Sequence, residues 1–352
     1  MNMIKLSICI PTYNREKFLR EAIDSVIVQL TDDIKNNVEI VVSDNASIDN
    51  TEQLIKSYQS EFGNIVFYRW SENMGADFNY LKVIELAHGD YCWFLGSDDK
   101  LIDGSIQKVM RVIENGTEDI LLFSRNESDV TLTDTPVLNS WSSLVGDFSF
   151  NSRKKEKLHY YLDSCNSLGG VFSYLSVIVF KKSKWDDVPD KERFVGSAYV
   201  HVHALFSILK TGANFCYIKE PVVLSRLGND SFCDNPRDAS DLYSRYKLDV
   251  DGYRDISLYI FGSDSYDYNC IYRLIQRNLG IETFARLKYM LKAKQGDKYD
   301  NSVELLLLHS GYYGMYFIIR FANNKFIRKF WTKLNGLMTS FCKYNSFKKL
   351  DL

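Results

Sequence analysis

Apolar and polar positions in the first hundred residues alternate between two periods. Lys5 to Ile10 is a short run suited to burial on both faces and ends at Pro11, which predicts a strand. Phe18, Leu19, Ala22, Ile23, Val26, Ile27 and Leu30 then recur every three or four positions, which predicts an amphipathic helix. Val38 to Val42 is a β-branched run of the kind found in buried parallel strands. Leu54, Ile55, Tyr58 and Phe62 mark one face of a second helix, with Ser47 or Asp49 to cap it. Ile65 to Tyr68 predicts a third strand, Tyr80 to Ala87 a third helix and Tyr91 to Leu95 a fourth strand.

A βαβαβαβ order implies a parallel sheet with right-handed crossovers, and such sheets bind ligands beyond the carboxyl ends of their strands. The polar clusters fall there: Thr12 to Arg15, Ser43 to Asn45, and Ser97 to Asp99. The last is the sharpest, because an apolar strand stops at two adjacent carboxylates that cannot be buried unpaired without a large penalty. An Asp-rich turn with Asp103 as a helix cap is the plainer reading of that cluster alone. Farther on, Asn126 to Asn151 loosens into a loop or insertion, and Val171 to Phe180 is an apolar segment expected to rejoin the sheet. Tyr199 to Leu209 reads as helix, Phe215 to Leu224 as strand, and the chain beyond about Asp238 as aromatic-rich helices.

The chain has 352 residues, enough for one large domain or two ordinary ones. A net charge of −2 offers no basic field, which argues against nucleic acid as a partner. The 7 cysteines are scattered without a Cys-x-x-Cys pair, and Cys9 and Cys92 read as small core residues, so a reducing cytoplasm is expected. There is no signal-peptide pattern and no apolar run of about 18 residues. Between Ile318 and Leu352 stand eight Lys or Arg and one acid, with Ile319, Phe326, Ile327, Phe330, Leu334, Leu337, Met338 and Phe341 on one helical face. That pattern suits a helix lying on an anionic membrane surface, or equally an ordinary packed helix with a solvated basic side.

Leu6 to Arg15 (LSICIPTYNR), Val42 to Thr51 (VSDNASIDNT), Glu72 to Asn79 (ENMGADFN) and Leu95 to Asp99 (LGSDD) together resemble the family 2 glycosyltransferases of the GT-A fold, in the family's order and spacing. The resemblance implies an α/β fold with a Rossmann-like, mostly parallel central sheet flanked by helices, followed by a C-terminal helical extension. Residues 1–125 would form the nucleotide-sugar-binding half, 126–235 the acceptor-binding half and 236–352 the helical region with its basic tail. It implies donor contacts from Pro11, Thr12, Tyr13, Asn14, Arg15, Asp44, Asn73, Gly75, Asp77, Asn79, Ser97 and Asp98. Asp99, with Asp98, would hold a divalent cation, Mg²⁺ or Mn²⁺, on the donor diphosphate.

Three departures stand out. Gly96 occupies the place of the family's usual first acid, and Phe78 stands where many members carry an Arg before Asn79. The acceptor half lacks the Glu-Asp pair whose Asp deprotonates the acceptor; Phe194 to His203 (FVGSAYVHVH) offers only His201 and His203 apart from Tyr199. A His can act as general base, and the alternative is a pair of satisfied helix histidines. Arg226 resembles the Arg that follows the acceptor half's last strand and is a candidate for acceptor or pyrophosphate contact; the His that commonly follows is absent from Gly228 to Ser231.

SDNASIDNT, ENMGADFNY and YCWFLGSDD resemble a bacterial subgroup that builds O-antigen repeat units and includes abequosyltransferases. It implies a CDP- or UDP-sugar donor, a 3,6-dideoxyhexose such as abequose from CDP among the candidates, and a lipid-linked saccharide acceptor. It also implies action at the cytoplasmic face of the inner membrane. Because abequose is α-linked in donor and product, the likeness leans toward retention, with the histidines shaping the acceptor pocket. The alternatives are a nucleotidyltransferase, which would show a Gly-rich loop with a Lys after the first strand, and a non-catalytic sugar-binding protein of the same fold.

Overall fold

A computed structural model describes residues 3–310 except 115, 229–231, 233–237, 279–280 and 300. The basic segment from Ile318 onward lies outside the described residues. The donor half runs β1 (Leu6–Thr12), α1 (Glu16–Ile27), β2 (Val38–Asp44), α2 (Thr51–Glu61), β3 (Ile65–Arg69), α3 (Ala76–Glu85) and β4 (Tyr91–Phe94). β5 (Lys100–Leu101), α4 (Ser105–Ile113), β6 (Ile120–Ser128), β7 (Val137–Asn139), β8 (Phe148–Asn151), α5 (Lys155–Ser164) and β9 (Ile178–Lys181) follow. α6 (Lys182–Asp186), α7 (Val200–Thr211) and β10 (Asn214–Arg226) complete the sheet region, and α8 (Ala239–Phe261), α9 (Tyr266–Asn278), α10 (Ile281–Gln295) and α11 (Ser302–His309) are helical.

The sheet order is β3-β2-β1-β4-β9-β6-β10-β5, with β7 on β6 and β8 on β10. β3, β2, β1 and β4 are parallel, as their β-branched runs predict, and β1 and β2 are buried along their whole length. β9 is antiparallel to both β4 and β6, which joins the parallel pair β6–β10 to the first half. Cys9 and Cys92 are fully buried between strands. Pro11 extends β1 and is itself buried, past the last β1–β4 pair at Cys9 and Phe94. It is a strand residue, not the ligand-facing one expected.

Two expectations about the acceptor half change. Residues 126–151 are not one loop: β7 pairs with the outer end of β6, and β8 pairs with β10. Val171 to Phe180 is not one strand, because 3₁₀ turns occupy Leu168–Val171 and Leu175–Val177 and only Ile178 onward is extended. Phe172, at φ +76°, breaks the extension. Three buried side chains claim successive carbonyls at that break: Tyr161 Oη donates to Gly170 O (2.7 Å), Tyr253 Oη to Val171 O (2.8 Å) and His201 Nε2 contacts Phe172 O (3.0 Å). Buried carbonyls need such partners, so the segment is fixed by side chains of three helices, two of them far away in sequence.

The chain divides into a unit of residues 1–230 with 252–274, and a unit of 231–251 with 275–352. Residues 252–274 are grouped with the first unit and not with the rest of the region beyond 236. Within the second unit, Lys288 Nζ and Glu304 Oε1 form a buried ion pair at 2.6 Å, and Tyr299 donates to the same carboxylate. Removing either partner would strand a buried charge. Among the described residues no helix is long and apolar enough to cross a membrane.

Candidate active site

The carboxyl edge of the parallel strands carries a hydrogen-bonded scaffold. Asn79, buried on α3, accepts from Ser43 Oγ (2.6 Å) and donates to the carbonyls of Ser43 (3.0 Å) and Thr12 (3.3 Å), tying β1 to β2. Asn45 donates to Asn73 Oδ1 (2.8 Å) and accepts from Met74 N (2.8 Å), and Asn73 Oδ1 also takes the N–H of Gly75 (2.9 Å). Gly75 sits at φ +85°, where a side chain is strained. Asn14, at φ +52°, crosses to the loop after β2: its N–H donates to Ser47 Oγ (2.8 Å) and its Oδ1 accepts from Ile48 N (2.8 Å). Asn14, Asn73 and Asn79, expected to meet the donor, hold the loops that would surround it.

Asp44 changes similarly. It is fully buried, its Oδ1 accepts the N–H (3.0 Å) and hydroxyl of Ser47, and Arg69 Nε lies 3.3 Å from Oδ2. Burial raises its pKa, and the carboxylate expected to contact the donor is enclosed by its own turn. What remains open at this edge is the exposed ring of Tyr13 and the buried hydroxyl of Thr12, which has no hydrogen-bond partner among the described residues. An unpartnered buried hydroxyl at a strand end is a ready ligand contact.

β4 ends at Phe94, and a turn closed by Asp99 N to Gly96 O (3.1 Å) presents the acids. Asp98 pairs with Arg15, which joins the first and last of the polar clusters. Asp99 is 4% exposed, and its Oδ2 accepts from Tyr174 Oη and Ser176 Oγ, each at 2.5 Å. Burial, then the Asp98 charge, push its pKa up to about 7. Arg125 stacks on the Tyr174 ring, Cζ 3.8 Å from the centroid, lies 4.8 Å from that of Trp141, and pairs with Glu127. Tyr174, Ser176 and Arg125 had no sequence signal beyond the serines that interrupt an apolar run.

Gly96 explains its own departure from the family pattern. A Cβ there would lie 3.0 Å from Asp99 Oδ2, 3.1 Å from Ser176 Oγ and 3.3 Å from Asp98 Oδ1. Gly96→Asp is therefore expected to destabilise the fold by about 1–3 kcal/mol by overpacking a site already crowded with carboxylates, measurable as a lowered unfolding midpoint.

Arg226 is fully engaged. Its Nε donates to Asp98 O (2.8 Å), Nη1 to Val130 O (2.7 Å) and Nη2 to Glu21 Oε2 (2.7 Å), with Phe18 beneath the guanidinium. It braces the acid turn and does not face open space, which corrects its assignment as an acceptor or pyrophosphate contact. The histidines are placed likewise. His201 is 1% exposed among Tyr80, Phe94 and Tyr199, and burial lowers its pKa to about 4. His203 is buried against Phe194 and Tyr259, with burial and then Arg193 lowering its pKa. Both are enclosed by core aromatics, as core residues and not as general bases open to an acceptor. Asp77 is turned away from the donor edge onto the backbone before α7.

Adjacent carboxylates that repel one another are a donor set suited to a hard cation. Among the described residues no cluster of three or more His, Cys, Asp or Glu could enclose one. Asp98, paired with Arg15, and Asp99, held by Tyr174 and Ser176, are the two carboxylates this edge presents.

A mixed sheet whose parallel half ends in this acid pair, beside a second half built on β6, β9 and β10, is the arrangement expected of a GT-A fold. Residues 7–171 match Glycosyl transferase family 2. The chain is also 37% identical over 231 residues to the abequosyltransferase RfbV of Salmonella typhimurium, covering 64% of this chain and 68% of that one. It belongs to glycosyl transferase family 2. The fold is similar to that of TarS from S. aureus in complex with UDP-GlcNAc, at TM-score 0.61 and 15% identity over 95% of this chain and 92% of that one. It is also similar to the mannosyltransferase PcManGT of Pyrobaculum calidifontis in complex with GDP-Man and Mn²⁺, at TM-score 0.56 and 13% identity over 91% and 86%.

Proposed function

We propose that the protein transfers a sugar from a nucleotide-sugar to a lipid-linked saccharide in surface polysaccharide synthesis, with a CDP-linked 3,6-dideoxyhexose such as abequose as donor. The observation that carries this reading is the Asp98–Asp99 pair at the carboxyl edge, in a chain 37% identical over 231 residues to an abequosyltransferase. UDP-GlcNAc and GDP-Man with Mn²⁺ in the structural neighbours support a nucleotide-sugar and a divalent cation here.

A cation held by Asp99 and Asp98 would neutralise charge on the departing nucleoside diphosphate. The chain's own residues do the rest. Arg226 and Arg15 fix the acid turn from its backbone and side chain. Thr12 and Tyr13 line the edge where the nucleotide would lie, and the amides of Asn45, Asn73 and Asn79 hold that edge rigid. With both histidines buried, the acceptor proton is best taken by a diphosphate oxygen as the C1–O bond to it breaks and the acceptor O–C1 bond forms on the same face. That is a retaining transfer. NMR of the product tests it: an α-linked product from an α-linked donor is expected, and a β-linked one contradicts it.

Thermal shift with CDP, UDP, GDP and their sugars, in Mn²⁺ and in EDTA, tests the donor. A cytosine nucleotide is expected to raise the melting temperature most, and only with Mn²⁺; no shift with any nucleotide would overturn the reading. The basic amphipathic segment from Ile318 to Leu352 supports peripheral attachment at the cytoplasmic face of the inner membrane. Flotation with anionic but not neutral liposomes is the expected outcome, and absence from both fractions contradicts it.

A further inference from the structure

The loop before α7 corresponds to the stretch where family members carry a Glu-Asp pair, and none of residues 194–203 is acidic. A carboxylate is nevertheless there, delivered by the donor half. Asp77 Oδ2 accepts the N–H groups of Gly196 (2.7 Å) and Ala198 (2.8 Å), and Oδ1 accepts that of Val200 (3.2 Å). Alternate N–H groups converge on one anion only because Gly196 and Ala198 turn left-handed, at φ +94° and +64°. For Ala198 that conformation costs on the order of 1 kcal/mol or more, which charge-assisted bonds offset. Val200 opens α7, so its N–H is one of the groups a helix leaves unpaired, at the end that favours negative charge.

Asp77 stands in the first turn of α3, two residues past Gly75, whose N–H is held by Asn73, the partner of Asn45 just after β2. The opposite side of the 196–200 turn is pressed by Gly252. A Cβ there would lie 2.7 Å from Tyr199 Cδ2 and 3.4 Å from Ser197 O, and Tyr253 packs edge-on to Tyr199 with centroids 4.9 Å apart. The turn is thus clamped between a charge on the donor half and a helix with no side chain at the contact.

We propose that Asp77 is a positioning residue for transfer: it holds the 196–200 backbone of the acceptor half in register with the donor edge. Its three N–H partners leave it no part in proton transfer. Its effect is on acceptor alignment, where a misplacement of about 1 Å costs about 10²-fold.

The variants are Asp77→Ala, Asp77→Glu and Gly252→Ala, the last disturbing the same turn from the other side. Binding is followed by thermal shift with CDP and with UDP in Mn²⁺, and transfer with a polyprenyl-diphosphate-linked trisaccharide, an acceptor that rests on the function proposed above. Nucleotide midpoints are expected within about threefold of the parent. Transfer is expected to fall about 10²-fold with a raised acceptor KM. Formate should restore part of it in Asp77→Ala, where chloride at equal ionic strength does not. Nucleotide midpoints that weaken in step with transfer, or parent-like transfer in the variants, would overturn the proposal. Should Asp77→Ala not fold, the other two variants carry the same comparison. Should the parent not use this acceptor, only the proposed function fails. Amide exchange across residues 194–200 then decides: faster in Asp77→Glu with unchanged nucleotide midpoints supports the role, and unchanged exchange refutes it.

Discussion

Asp99→Asn is expected to abolish sugar transfer and, at the same time, to stabilise the ligand-free protein at pH 8. The first effect follows from removing a charge aimed at the departing diphosphate, a loss of about 10²–10³-fold or more for a positioned electrostatic group. The second follows from burial. Asp99 titrates near 7 in the folded chain, against about 3.9 for a free Asp side chain. Between those values the folded state keeps a proton that the unfolded state has lost. Stability therefore falls as pH rises from about 4 to 7 and stays low above it. Asparagine carries no charge and still accepts from Tyr174 and Ser176, so it removes that slope. Unfolding midpoints should show a gain of about 4 kcal/mol at pH 8 and well under half of that at pH 5. Equal effects at the two pH values would mean that burial is not what perturbs this acid.

His201→Gln separates the two readings of the acceptor half. As a core residue, His201 is held neutral with its pKa near 4, while in the unfolded chain it titrates near 6.5. Below about 6.5 the unfolded state binds the extra proton, so stability is lost as pH falls toward 4, by up to about 3 kcal/mol. Glutamine can donate to the Phe172 carbonyl and does not titrate, so the variant should flatten this acid limb and transfer within a few-fold of the parent. Loss of a general base would instead cost about 10²–10⁴-fold. A fall of that size with an unchanged acid limb would restore the base role and, with it, an inverting reaction.

The donor half was legible because its strands are locally encoded. β-branched runs buried on both faces force a parallel sheet, and the polar residues after them fall on one edge whatever the details. The roles of those residues were less legible. Asn73, Asn79, Asp44 and Asp77 are of types that bind ligands, but they bind the protein's own backbone equally well, and sequence does not say which. The segment from Leu168 to Val177 was illegible for another reason. Its apolar run suits a strand, and its actual path is set by Tyr161, His201 and Tyr253 from three helices, two of them far away in sequence. Tyr174 and Ser176 reach Asp99 only through that long-range arrangement, which no local pattern carries.

An acid-edged sheet of this kind should turn over a nucleotide-sugar. The most direct measurement is mass spectrometry of a polyprenyl-diphosphate-linked saccharide after incubation with the protein, Mn²⁺ and the nucleotide-sugar that gives the largest thermal shift. A gain of one sugar mass is expected, matched by an equal amount of nucleoside diphosphate and absent in EDTA. Nucleotide binding with neither a mass gain nor nucleotide release would contradict it and leave a sugar-nucleotide-binding protein in its place.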